Sequence, residues 1–260
     1  MKKFFIFVIL ILGSIGLQAG MISGYTNATY IDAKTLKAKL QKNGFEVLAQ
    51  YHPAGKSHLD VLLFTSADLK KVASKKTRGF AAVQRVLINQ KNKTVLVGNP
   101  HYWLKAFLQD DYDNGVANRV NASLAKVFGA MTSTSDGLKE SDLSSYHFMF
   151  GMPYYEDMIT LKKGVSGTNV TNKLFSLDLP NGSTIIGVKM DQTTEQFIDT
   201  IGEDKALVLP YMVLVEDGNA FALHAKYYLA ISYPLLSMGQ FMKISATPGK
   251  IEETLKALIK

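Results

Sequence analysis

The sequence predicts an α+β protein made of two tandem αββαββα repeats, each a four-stranded antiparallel sheet with helices on one face, packed as a pseudo-dimer. Three observations predict it. Turn motifs and apolar segments recur in one order along the 260 residues, at a nearly constant offset. Apolar residues switch between alternating and helical spacing at matching places. Consecutive strands are joined by short turns, which forces antiparallel pairing because parallel strands need long crossovers.

The first repeat opens with a helix over 32–43, where Leu36 and Leu40 face inward and Asn43-Gly44 supplies the stop. A strand over 45–51 leads to the turn Pro53-Ala54-Gly55-Lys56-Ser57 and a second strand over 59–64. An amphipathic helix covers 67–74, strands cover 82–88 and 94–97 around a turn at 89–92, and a helix over 118–128 closes the unit. The second repeat carries Pro180-Asn181-Gly182-Ser183-Thr184 between strands over 174–179 and 185–190. A helix over 194–201 and a strand over 208–214 follow, then Glu216-Asp217-Gly218-Asn219, where Asp-Gly marks a hairpin. A longer apolar segment, 220–231, runs to Ser232-Tyr233-Pro234, and Ile251, Leu255 and Leu258 define the closing helix over 249–259. Residues 162–167 hold two glycines and little periodicity, so the opening helix of the second copy is degraded or replaced. The boundaries are a signal peptide at 1–19, a first repeat at 20–131, a linker and connector at 132–158, and a second repeat at 159–260.

Residues 1–19 have the secretory pattern: Lys2 and Lys3, an apolar run, then Leu17-Gln18-Ala19 before Gly20. The run is shorter than the about 20 residues of a spanning helix. Cleavage near Ala19 would place the mature protein in the periplasm or outside the cell. In a eukaryotic host Asn27, Asn121, Asn169 and Asn181 would be glycosylation sites. The chain is 47% hydrophobic and 20% charged, the balance of a globular protein. Its net charge of +7, two of it in the leader, is too mild to indicate nucleic acid. Lys70, Lys71, Lys75, Lys76 and Arg78 form the densest basic run, a solvated face or a weak contact with anionic membrane. The absence of cysteine excludes disulfides, thiol nucleophiles and Cys-ligated metals.

Several of these motifs carry a family resemblance. Asn43-Gly44-Phe45-Glu46-Val47-Leu48, the run Leu209-Pro210-Tyr211-Met212-Val213-Leu214-Val215-Glu216-Asp217-Gly218, Gly98-Asn99-Pro100 and Ser232-Tyr233-Pro234 resemble the bacterial and archaeal family catalogued as domain of unknown function 302. The resemblance implies an α+β fold and a tendency of units to pair. It implies no activity. Many members carry a cysteine after the Leu-Pro, where Tyr211 stands here, so no thiol role transfers. Members are typically single domains, whereas this chain is a tandem.

The segment 146–158 is not required by the duplicated fold, yet is chemically dense. His147, Met149 and Met152 offer imidazole and thioether ligands suited to copper, Cu(I) above all. The plainer reading is an apolar connector in which methionine fills gaps. Two aromatic groups suggest a ligand pocket between the repeats: His101, Tyr102 and Trp103 at one strand end, and Tyr227, Tyr228 and Tyr233 in the matching region, with Tyr154 and Tyr155 from the connector. Ordinary core or rim packing is the alternative. His101 or His224 would serve as a haem axial ligand. Asp110-Asp111-Tyr112-Asp113-Asn114-Gly115 fails the EF-hand order and reads as a turn. No catalytic residue is assigned. His52 and His58 match no zinc-hydrolase spacing, and Glu156-Asp157 and Glu203-Asp204 need partners from elsewhere to act as acid and base. The leading expectation is a non-catalytic exported protein, a monomeric pseudo-dimer or homodimer, binding a small ligand or partner protein where its repeats meet. Copper or haem handling and a metal-independent enzyme are the alternatives.

Overall fold

The computed structural model describes residues 20–165 and 169–260. The export-signal reading of residues 1–19 lies outside them. Helices and antiparallel sheets combine in an α+β fold. Strands β1 (Met21–Ser23) and β2 (Tyr25–Ala28) precede α1 (Ala33–Lys42). Asp32 caps α1 by accepting from the Thr35 N–H, and Leu36 and Leu40 are buried beneath it. Next come β3 (Glu46–Tyr51), β4 (Leu59–Thr65), α2 (Ala67–Val72), β5 (Gln84–Asn89) and β6 (Thr94–Gly98). The polypeptide continues through α3 (Pro100–Leu108) and α4 (Asn114–Phe128). The acidic turn before α4 is used for capping: Asp113 accepts from the N–H groups of Gly115 and Val116.

Two short strands, β7 (Thr132–Ser133) and β8 (Gly137–Lys139), occupy the stretch read as linker. Strand β8 pairs with β1, and β7 extends the first sheet, whose order is β3-β4-β5-β6-β2-β7. The second sheet is β10-β11-β12-β13-β9. Its strands are β9 (Ile159–Lys163), β10 (Lys173–Asp178), β11 (Thr184–Val188), β12 (Tyr211–Glu216) and β13 (Asn219–Ala222). Helices α5 (Gln192–Glu195) and α6 (Phe197–Ile201) lie between β11 and β12, and α7 (Ala225–Ser232), α8 (Met238–Lys243) and α9 (Thr247–Leu258) follow β13. Each sheet therefore holds a four-strand antiparallel meander, with an earlier strand, β2 or β9, added beside its last member.

Two sequence expectations are corrected. His101, Tyr102 and Trp103 sit in a helix, not at a strand end, and the segment 220–231 breaks after β13 into α7. The reason is local. Pro100 lacks an N–H and has a fixed φ, so it opens a helix at its first position as readily as it ends a strand. The side chain of Asn99 accepts from His101 N–H, and that of His224 accepts from Lys226 N–H, capping α3 and α7 in the same way. Helix α8 was also unforeseen; its capping box joins Ser237 and Gln240.

All residues of β4, β5 and β11 are buried, so these strands are covered on both faces. Helices cover one side. On the other, the 3-10 segment Gly79–Ala82 packs on β11 and β12, while the 3-10 segment Glu203–Val208 packs on β4 and β5. At Gly79 a Cβ would come within 2.6 Å of a Leu214 methyl, so the approach admits only glycine without repacking. The hydrogen bonds across this junction are reciprocal. Tyr102, third in α3, donates to the Ile231 carbonyl of α7 at 2.6 Å, and Tyr227, third in α7, donates to the Ala106 carbonyl of α3 at 3.4 Å. Each acceptor is the seventh residue of its helix.

Buried carboxylates also cross the junction. Glu195, 1% exposed, accepts from the Tyr51 hydroxyl at 2.6 Å and from the Ala54 N–H at 2.8 Å. Glu216 accepts from the N–H of Thr77 at 2.9 Å, and the Tyr155 hydroxyl donates to the Thr77 carbonyl at 2.6 Å. Burial raises the Glu195 carboxyl above its ordinary 4.5, although the bonds from Tyr51 and Ala54 oppose the rise.

Two stability predictions follow from these contacts. Tyr102→Phe leaves a buried carbonyl without its donor and should cost about 1–3 kcal/mol in urea unfolding, whereas Tyr227→Phe, with the longer bond, should cost less. The folded state of the wild type holds the Glu195 proton more tightly than the unfolded chain does. Its stability relative to Glu195→Gln should therefore fall as pH rises from about 4.5 through the raised folded value, then level off. A difference that stays constant from pH 4 to 8 would contradict this.

Candidate functional site

Where the junction opens to solvent it leaves a cleft of about 500 Å³. The first half contributes Tyr25 and Asn27 from β2 and Thr94 and Leu96 from β6. The second contributes Asp204, Lys205, Tyr233 and Gln240, with Leu235 and Leu236 between α7 and α8. Residues 133–136 close the third wall. The pairing of β7 with β2 fixes this wall, and the Thr134 N–H donates to the Tyr25 carbonyl at 3.1 Å.

The floor is aromatic. The rings of Tyr25 and Tyr233 stack with centroids 6.2 Å apart, and both residues are buried. The hydroxyl of Tyr233 donates to the Lys205 carbonyl, and the Lys205 ammonium lies 5.5 Å from the Tyr233 ring centroid while pairing with Asp204. Burial drives both tyrosine hydroxyls well above their ordinary value. Asp136 accepts from the Thr134 hydroxyl at 2.5 Å. The cleft thus presents carboxylate, ammonium, hydroxyl and amide groups around an apolar base.

The residues singled out from the sequence are dispersed. Tyr233 lines this cleft. Trp103 and Tyr228 pack edge to face at 6.3 Å and line a separate internal cavity. Tyr102 and Tyr155 are buried and spend their hydroxyls on backbone carbonyls. His101 is half-buried on α3, with Nδ1 3.3 Å from the Tyr112 hydroxyl. The imidazole of His224 is occupied as a helix cap, and partial burial lowers its pKa. In the connector, the His147 and Tyr154 rings lie tilted with centroids 4.3 Å apart, and the Met152 N–H bonds the Met149 carbonyl at 3.0 Å, closing a turn. Met149 is exposed and Met152 half-buried. Among the described residues no group of three or more His, Asp or Glu side chains gathers as a metal-binding cluster.

Other polar residues have found structural partners. His52 lies 3.4 Å from buried Asp60, which also accepts from the side-chain amides of Gln50 and Gln90. His58 pairs with Glu203 at 2.9 Å, and Lys56 reaches both Glu203 and Asp199. Lys75 and Arg78 share Asp111, and Lys70 pairs with Glu46, so much of the basic run is internally neutralised. Most of the cleft was missed from sequence, because its serines, threonines and single charges have no spacing that distinguishes them from surface. The accessible signal was the polar stretch 132–137, read only as a linker. Among the described residues no helix is long and apolar enough to cross a membrane. No family model, curated protein or solved structure matches the chain.

Proposed function

We propose that this is an exported, periplasmic binding protein, not an enzyme, which takes a small polar ligand in the cleft where two copies of one unit meet. The observation that carries the reading is the cleft of about 500 Å³ with walls from both halves and from the segment between them. Ligand sites commonly have volumes of about 300–1,000 Å³ and lie between domains. An aromatic base with carboxylate, ammonium and hydroxyl groups around it suits a hydroxylated or zwitterionic molecule. A polar side chain of a partner protein is the other occupant with that chemistry. The copy reading is supported by the reciprocal α3–α7 hydrogen bonds and the exchanged 3-10 segments, the self-complementary pattern of an isologous dimer. The likeness to the domain of unknown function 302 belongs to this same reading, as does the leader at residues 1–19.

Native mass spectrometry of the processed protein purified from its own envelope tests the proposal. A stoichiometric organic mass is expected, lost in Ser135→Trp, which fills the cleft, and weakened at least tenfold in Lys205→Ala. A bare wild-type chain that also gains no thermal stability from a panel of sugars, amino acids and polyamines would overturn it.

Copper handling is the second reading, favoured by the backbone turn that joins Met149 to Met152 just after His147. Competition against a Cu(I) chelator should show binding lost in the His147→Ala, Met149→Ala, Met152→Ala triple variant. Wild-type binding no tighter than the variant's would end this reading.

A further inference from the structure

Below the cleft, separated from it by Tyr25, lies a small internal cavity of about 20 Å³. Arg85 and Gln84 of β5 border it, together with Trp103, Tyr228 and Met212. Arg85 is 7% exposed and Gln84 2%. One guanidinium nitrogen of Arg85, Nη1, donates to the carbonyls of Leu207 and Val208 at 3.1 and 2.6 Å. The other, Nη2, has no hydrogen-bond partner, and neither has Oε1 of Gln84. The chain's other arginines, Arg78 and Arg119, pair with carboxylates; Arg85 pairs with none among the described residues. Tyr228 places its ring 5.8 Å from the guanidinium carbon, an attraction that leaves the charge uncompensated.

An arginine is always ionised, so this is a full positive charge in a nearly dry site that borders a small cavity. We infer that the cavity is a binding site for a small monoatomic anion, of which chloride is the test case, held between the two halves by Arg85. Volume selects the class. A water-sized sphere needs about 10–15 Å³, so the cavity admits a monoatomic ion and excludes sulfate, phosphate and carboxylates. Charge selects between ion and water. A water would satisfy Nη2 but leave the guanidinium without a counter-ion. The site would join β5 of the first half, through Arg85, to the end of the 3-10 segment preceding β12 of the second. Occupancy would therefore stabilise the junction itself, independently of what the cleft binds.

The test is the chloride dependence of unfolding at constant ionic strength, with gluconate, too large for the cavity, as the replacement anion. Above the dissociation constant, each tenfold rise in free chloride should lower the unfolding equilibrium constant about tenfold. Arg85→Met, which repeats the thioether that Met212 already contributes to the lining, should abolish the response. Bromide-soaked crystals of the wild type provide a reading that needs no variant: an anomalous peak beside Nη2 is expected. Equal unfolding in chloride and gluconate, or a water with no bromide peak in the cavity, would overturn the site. Neither result bears on the cleft, whose ligand is read by mass spectrometry.

Discussion

The junction between the two sheets is the constraint on which the rest of the molecule depends. Strands β4, β5 and β11 have no solvent-facing side, so helices alone cannot complete either core. Each half lends the other a 3-10 segment that covers its exposed sheet face. Burial of this apolar surface drives the association, and the close approach at Gly79 shows how little slack it leaves. A half taken alone would expose the centre of its sheet to water.

Apolar contact is non-directional, and two sheets can slide over one another. Polar groups set the register here. Tyr102, Tyr227, Tyr51 and Tyr155 each carry a hydroxyl across the junction or into the connector's contact with the first half, and each ends on a defined acceptor. Glu216 holds the Thr77 N–H at a position where the backbone takes a positive φ of 62°. Arg85 grips two consecutive carbonyls in front of β12. A misaligned junction would leave these groups buried and unpaired, which is costly. The polar contacts thus act mainly through the alternatives they exclude.

The cleft is a by-product of the same geometry. The 3-10 segments seat on the central strands, and beside β2 and β6, toward the β7 edge, the halves part. Tyr25 and Tyr233 close the bottom of the gap, and residues 133–136 are drawn over its side by the pairing of β7 with β2. Tyr25 also lines the internal cavity, so one residue borders both the mixed-charge cleft and the space beside Arg85.

The sequence by itself determined the α+β class and most strands and helices, because alternation, helical spacing and turn residues act within a few neighbours. The Asn43-Gly44 stop, the Asp-Gly hairpin and the Leu36–Leu40 face are such local facts. Where local chemistry had two outcomes it misled: Pro100 began α3, and the largely apolar stretch after β13 became α7. The export-signal reading of residues 1–19 rests on sequence pattern alone. Only the tertiary structure decided which residues share a site. Tyr25, Ser135 and Lys205 are far apart in the chain and unremarkable in type, and Arg85 resembled any strand arginine until its partners could be seen. Convergence of distant side chains depends on how two sheets pack, and no short stretch of residues encodes that packing.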